Sequence, residues 1–135
     1  MKRLLFFLVI PMLFAACEIF EDYDERTYYD VEGVGYVYNE YTKKPVPQAI
    51  VSVSYSFESH GYATVQPGRE EFQVDNTGCF RVKFLKRTHK SDVIGFSICA
   101  CADNNQLIAP CISIAPETLK NLNSTTLTID TLWLQ

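Results

Sequence analysis

The sequence predicts one all-β sandwich behind a secretory leader, and three observations carry that prediction. Apolar and polar residues alternate with a period of two over several short runs. Turn-forming residues separate those runs at close intervals. No long segment keeps a helical period.

In chain order, Lys2 and Arg3 open the sequence as a short basic start, and residues 4–14 are apolar. This run is too short to span a bilayer comfortably as a helix, and the small pair Ala15-Ala16 follows it, as a signal peptidase requires. Residues 1–16 therefore read as a signal peptide. Gly33-Val34-Gly35-Tyr36-Val37-Tyr38 is rich in β-formers. In the next run Ala49, Val51, Val53, Tyr55 and Phe57 fall on one face, and Ser52, Ser54 and Ser56 on the other. Phe80, Val82 and Phe84 alternate with Cys79, Arg81 and Lys83. Phe96, Ile98 and Ala100 alternate with Ser97, Cys99 and Cys101. Cys111-Ile112-Ser113-Ile114 makes a shorter strand, and residues 127–134 close the chain as a last one. Pro116-Glu117-Thr118-Leu119-Lys120 fits a single helical turn with Pro at its first position. The expected core is Val51, Val53, Phe80, Val82 and Phe84.

Length and charge fit one domain. Of 135 residues, cleavage before Cys17 removes 16 and leaves 119, enough for one core and too few for two. Losing Lys2 and Arg3 takes the formal net charge from −4 to −6. Such an acidic chain carries no electrostatic footprint for nucleic acid. Its 8 Tyr, 9 Phe and 1 Trp argue against disorder.

Ala15-Ala16-Cys17 resembles the lipobox of bacterial lipoproteins, although Phe14 stands where Leu is commoner. The resemblance implies that Cys17 becomes the first mature residue and carries lipid (palmitate or a similar acyl chain), which anchors the protein in a membrane. Glu18, Glu21, Asp22, Asp24 and Glu25 follow it. An acidic stretch beside a lipidated Cys is similar to the surface-export signal of Bacteroidota lipoproteins, and the implied location is the outer membrane with exposure at the cell surface. The plain alternative is a solvated spacer. Residues 17–32 read as the tether in both cases, and residues 33–135 as the domain.

Two segments make the fold more specific. One is Gly35-x-Val37-x-Asn39-x-x-Thr42-x-x-Pro45-Val46-x-x-Ala49-x-Val51-x-Val53, and the other is Asp75-Asn76-Thr77-Gly78-Cys79-Phe80. Together they resemble the carboxypeptidase regulatory-like domain, a transthyretin-like, Ig-like Greek-key sandwich of about seven strands. The likeness covers most of residues 33–85 and fades after 86. Locally, Pro45 stiffens the link between the first two strands. Asp75 and Gly78 suit a tight hairpin turn, Gly78 by accepting positive φ.

The residues argue against an enzyme. His60 and His89 lie in polar surroundings, no Ser sits in a nucleophile elbow and there is no glycine-rich phosphate loop. Transthyretin-like folds include 5-hydroxyisourate hydrolase, but its C-terminal Tyr-Arg-Gly-Ser has no counterpart in Thr131-Leu132-Trp133-Leu134-Gln135. No cofactor and no metal are expected. A four-thiolate zinc site from Cys79, Cys99, Cys101 and Cys111 lacks the usual Cys-x-x-Cys knuckle. Asp103-Asn104-Asn105 lacks the carboxylate spacing of a calcium loop and reads as a turn. With Cys17 lipidated, the other four cysteines are even in number, and an oxidising envelope predicts two disulfides. Cys99 and Cys101 lie two apart on one strand with parallel side chains, so each should join one of Cys79 and Cys111. Alternation puts Cys79, Cys99 and Cys101 opposite the apolar faces of their strands, and so on the outer side of one sheet.

These readings leave a lipid-anchored module that binds or assembles with an envelope protein or a glycan. A structural or adhesive envelope subunit is the alternative, and a small transthyretin-like hydrolase a weaker one. The sequence identifies no aromatic platform for a ligand.

Overall fold

The computed structural model describes residues 26–58, 68–88 and 91–135. The leader, Cys17, the acidic residues Glu18, Glu21, Asp22, Asp24 and Glu25, and both histidines lie outside this range. Nine strands and one short helix follow in order: β1 (Thr27–Asn39), β2 (Ile50–Glu58), β3 (Gly68–Gln73), β4 (Cys79–Thr88), β5 (Ser91–Ala102), β6 (Leu107–Ile108), β7 (Ile112–Ile114), α1 (Pro116–Lys120), β8 (Thr126–Thr128) and β9 (Leu132–Leu134). The fold is an all-β sandwich. Nine strands appear where about seven were expected, because β6 to β9 hold only two or three residues each.

Hydrogen bonding runs β3-β2-β5-β4-β1-β8, with β6 and β7 beside β5 and β9 beside β1. The β4–β5 pairing is confined to Arg87↔Asp92 and Thr88↔Ser91. The hairpin thus passes from one sheet to the other, and the two halves pack face to face. On the far side, Ile108 and Gln135 exchange backbone hydrogen bonds of 3.3 and 3.1 Å, joining β6 to the end of β9.

The expected core is buried as a set: Val51, Val82 and Phe84 are 0% exposed, Val53 and Phe80 1%. Phe84 meets Phe96 edge-on across the sandwich, ring centroids 5.3 Å apart. Gly35 makes room for Phe80, since a Cβ there would stand 2.6 Å from Phe80 Cζ. Hence the Gly-x-Val opening has a steric cause: Val37 fills the core while Gly35 lets an aromatic ring lie against the strand.

Strand β1 begins at Thr27, six residues before the domain start expected at Gly33. Tyr29 and Val31 explain the difference. They continue the inward period of Gly33, Gly35 and Val37 and pack against the core, and Asp30 and Glu32 between them gave the segment the look of a tether. Strand β3 was not anticipated either. Its Arg69-Glu70-Glu71 run is charged and carries little strand signal, and β3 is an edge strand paired with β2 from Ile50↔Gln73 to Tyr55↔Gly68, where charge blocks further pairing.

The turn at 75–79 forms as expected. Asp75 Oδ1 accepts from the Thr77 hydroxyl at 2.7 Å, Thr77 N–H at 2.8 Å and Cys79 N–H at 3.0 Å, and Gly78 takes φ +82°. The Thr77 hydroxyl, helped by the two backbone donors, holds the Asp75 carboxyl below its usual value of 3.8. A carboxylate depressed in the fold contributes stability that is present above the unfolded value and lost as pH falls through the folded one. Asp75→Asn should therefore flatten the acid limb of the stability curve below about pH 4 while leaving its shape near neutrality unchanged. Urea titrations at stepped pH check this, and parallel acid limbs in both proteins would contradict it.

Candidate functional site

The last strand segment positions the site. Residues 127–134, expected as one strand, form two that run parallel to the same partner. In β8, Glu32↔Thr126, Gly33↔Leu127 and Val34↔Thr128 pair; in β9, Val37↔Leu132, Tyr38↔Trp133 and Asn39↔Leu134. The offset grows by one residue across 129–131, as in a β-bulge. Burial changes phase with it, from Leu127 and Ile129 to Leu132 and Leu134. An unbroken period of two from Leu127 would turn Trp133 inward. The extra residue turns it out.

Trp133 therefore joins two tyrosines on the outer face of β1. Tyr36 and Tyr38 are two apart and flank the fully buried Val37, so both rings point away from the core. Their centroids are 6.3 Å apart, and Tyr38 lies 5.7 Å from Trp133. The three rings form a tilted row, open to solvent, in which Tyr36 is 45% and Trp133 38% exposed.

A turn adds a cation to this row. Asn39 Oδ1 accepts from the N–H groups of Tyr41 and Thr42 at 3.0 and 2.9 Å, and Lys43 N–H donates to Asn39 O at 2.9 Å. Lys43 sits in the left-handed region at φ 55°, a conformation stabilised by these bonds. Its ammonium stands 4.8 Å from the centroid of the Trp133 ring. Lys43 makes no ion pair among the described residues. Along the same face, Arg81 donates to Glu32 at 2.7 Å, and Cys79 pairs with Tyr36 across the β4–β1 ladder.

The opposite outer face is of another kind. Register places Ser54, Ser97 and Ser113 side by side across β2, β5 and β7. An open hollow of about 500 Å³ lies here, reaching Ser56 and Gly95. Its hydroxyls offer hydrogen bonds but no charge.

The cysteines divide between these faces. Cys99 and Cys111 are bonded, Cα atoms 4.4 Å apart, one step beyond the Ile98↔Ile112 pair. The expected second bridge is absent, for Cys79 and Cys101 are free thiols. Cys101 shares the outer face of the β2–β5 sheet with the bridge, whereas Cys79 alternates with Phe80 and lies on the outer face of the other sheet. The core separates the two thiols, so the expectation that Cys79, Cys99 and Cys101 share one outer face is corrected, and the four sulfurs do not converge for zinc. Asp103, Asn104 and Asn105 form the β5–β6 turn, all three at positive φ. Among the described residues no three His, Cys, Asp or Glu side chains come together as metal ligands, and no helix is long and apolar enough to cross a membrane.

No family model matches the chain, and no curated protein does. Among solved structures it is similar to part of a 9R-lipoxygenase from Cyanothece, at 16% identity and a TM-score of 0.40. The likeness covers 78% of this chain and 16% of that enzyme.

Proposed function

We propose that this chain is a lipid-anchored envelope protein, displayed at the outer-membrane surface, whose sandwich serves as a binding module without catalytic work of its own. The observation that carries the binding role is the row Tyr36–Tyr38–Trp133. Large aromatic rings held outward on a sheet, with a cation over one of them that makes no ion pair among the described residues, supply contact area at little conformational cost. The lipobox-like Ala15-Ala16-Cys17 and the acidic residues behind it support the anchor and the display. The likeness to carboxypeptidase regulatory-like domains supports a non-catalytic sandwich. The partner is a glycan or an envelope protein.

Intact-mass analysis should find a diacyl or triacyl group on Cys17, and Cys17→Ala should move the protein from the membrane to the soluble fraction. Replacing Glu21, Asp22, Asp24 and Glu25 with Ala should then protect the domain from protease added to whole cells without releasing it from the membrane. An unmodified N-terminus at any other residue would refute the anchor. Protection of the unmodified sequence would reduce the acidic stretch to a spacer.

A further inference from the structure

We infer that the ligand of the aromatic row is an acidic saccharide, a chain of pyranose rings bearing carboxylates, with the rings on Tyr36, Tyr38 and Trp133 and a carboxylate at Lys43. This deepens the binding reading above and rests on it.

Three observations lead to this chemistry. The first is shape. Apolar peptide side chains bind where a groove can bury them. The row is a ledge on a sheet face with Tyr36 45% and Trp133 38% exposed, and among the described residues the hollows beside Ser113 and Phe72 lie elsewhere. A sugar ring suits a ledge, since one face presents C–H groups to an aromatic ring while its hydroxyls stay in water. The second is spacing. Successive centroids at 6.3 and 5.7 Å, with planes inclined by 57° and 50°, present a series of facets rather than one plane. A flat aromatic ligand would want a single plane, whereas a twisted chain of rings meets facets in turn. The third is charge. On a chain of net charge −4, the turn at the end of the ledge carries Lys43 and Lys44. The Lys43 ammonium stands 4.8 Å from the centroid of the Trp133 ring and pairs with no carboxylate among the described residues. Such a cation strengthens its hold on the ring system while offering its remaining donors to an anion. Glu40, in the same turn, tempers the field but forms no ion pair with Lys43 among the described residues.

The test is affinity electrophoresis of the detergent-solubilised full chain through gels containing polygalacturonate, alginate or hyaluronate. Each is paired with its carboxyl-reduced, neutral form. At least one acidic polymer should retard the protein more than its neutral counterpart, and added salt should erase the difference. Trp133→Ala should weaken retention about tenfold, as expected for loss of one stacking ring, and Tyr36→Ala should weaken it in the same direction. Lys43→Gln should leave acidic and neutral polymers equally retained. Unchanged melting temperatures separate these effects from unfolding, and Trp133→Phe, which keeps an aromatic face, should restore most of the retention. Ledge-dependent retention that is equal for acidic and neutral polymers would overturn the acidic preference and leave the ledge as the binding surface. Retention by none of the polymers, or retention indifferent to Trp133 and Tyr36, would overturn the saccharide assignment. The binding reading would then rest on cross-linking from the ledge in cells.

Discussion

Phe80→Ala should destabilise the protein by about 3–5 kcal/mol, the usual loss when a buried aromatic is removed from a core. Phe80 is 1% exposed, and it enters the core immediately after the Asp75–Gly78 turn. Its ring covers the place where a side chain on Gly35 would stand. Alanine would leave a void bounded by a glycine, and Gly35 has no side chain to move into it. The site can collapse little, which places the loss in the upper part of the range. Urea unfolding read by Trp133 fluorescence and by circular dichroism gives the value. A loss under about 1 kcal/mol would mean that the ring is not in the core.

The double substitution Cys99→Ala with Cys111→Ala should cost about 3 kcal/mol. The bridge closes a segment with sequence separation 12, and loops of that size lose about this much unfolded-state entropy when crosslinked, in the chain-entropy model. The closed segment includes β6 and the Pro110 break before β7, elements too short to hold their register alone. Hydrogen exchange in β6 and β7 should therefore rise more than in β1 or β4. Non-reducing peptide mapping should find Cys99 joined to Cys111 and leave Cys79 and Cys101 reactive with a maleimide. A Cys79-containing bridge would contradict the separation of the two outer faces.

Much of the sandwich is legible in the sequence because its centre obeys simple patterns. The run from Cys79 to Phe84 alternates without interruption, and from Val51 to Phe57 apolar residues alternate with Ser52, Ser54 and Ser56. Each run turns to the core the face that alternation assigns to it, and Ser52 is buried as well, at 7% exposure. Asp75 and Gly78 are readable for a similar reason: a turn needs an acceptor and a residue tolerant of positive φ within a few positions. What was missed lies where the pattern is masked. Asp30 and Glu32 conceal the inward phase of Tyr29 and Val31. Charge conceals β3, whose edge position is what makes the charge useful.

The ledge was hidden for a different reason. Trp133 follows two apolar positions, Leu127 and Ile129, in the phase of the core, and only the extra residue at 129–131 reverses it. A bulge in a parallel ladder depends on the partner strand and leaves little local signature. The one available signal was Trp133 flanked by Leu132 and Leu134, a pattern that puts the indole opposite two buried leucines. The cysteine pairing needed the fold as well. Parity and compartment suggest two bridges, but only the placement of β4 in the other sheet separates Cys79 from Cys101.

The most direct measurement is photo-crosslinking in living cells, with a photoreactive amino acid at position 36 or 133 of the anchored full chain and, as control, at position 94 on β5. Ile94 is as exposed as Tyr36, at 46% against 45%, but stands on a strand of the other sheet. A discrete adduct from positions 36 and 133, absent from position 94 and lost when Tyr38→Ala is added, is the expected result. No adduct from the ledge, or the same adducts from all three positions, would contradict a binding role for this face.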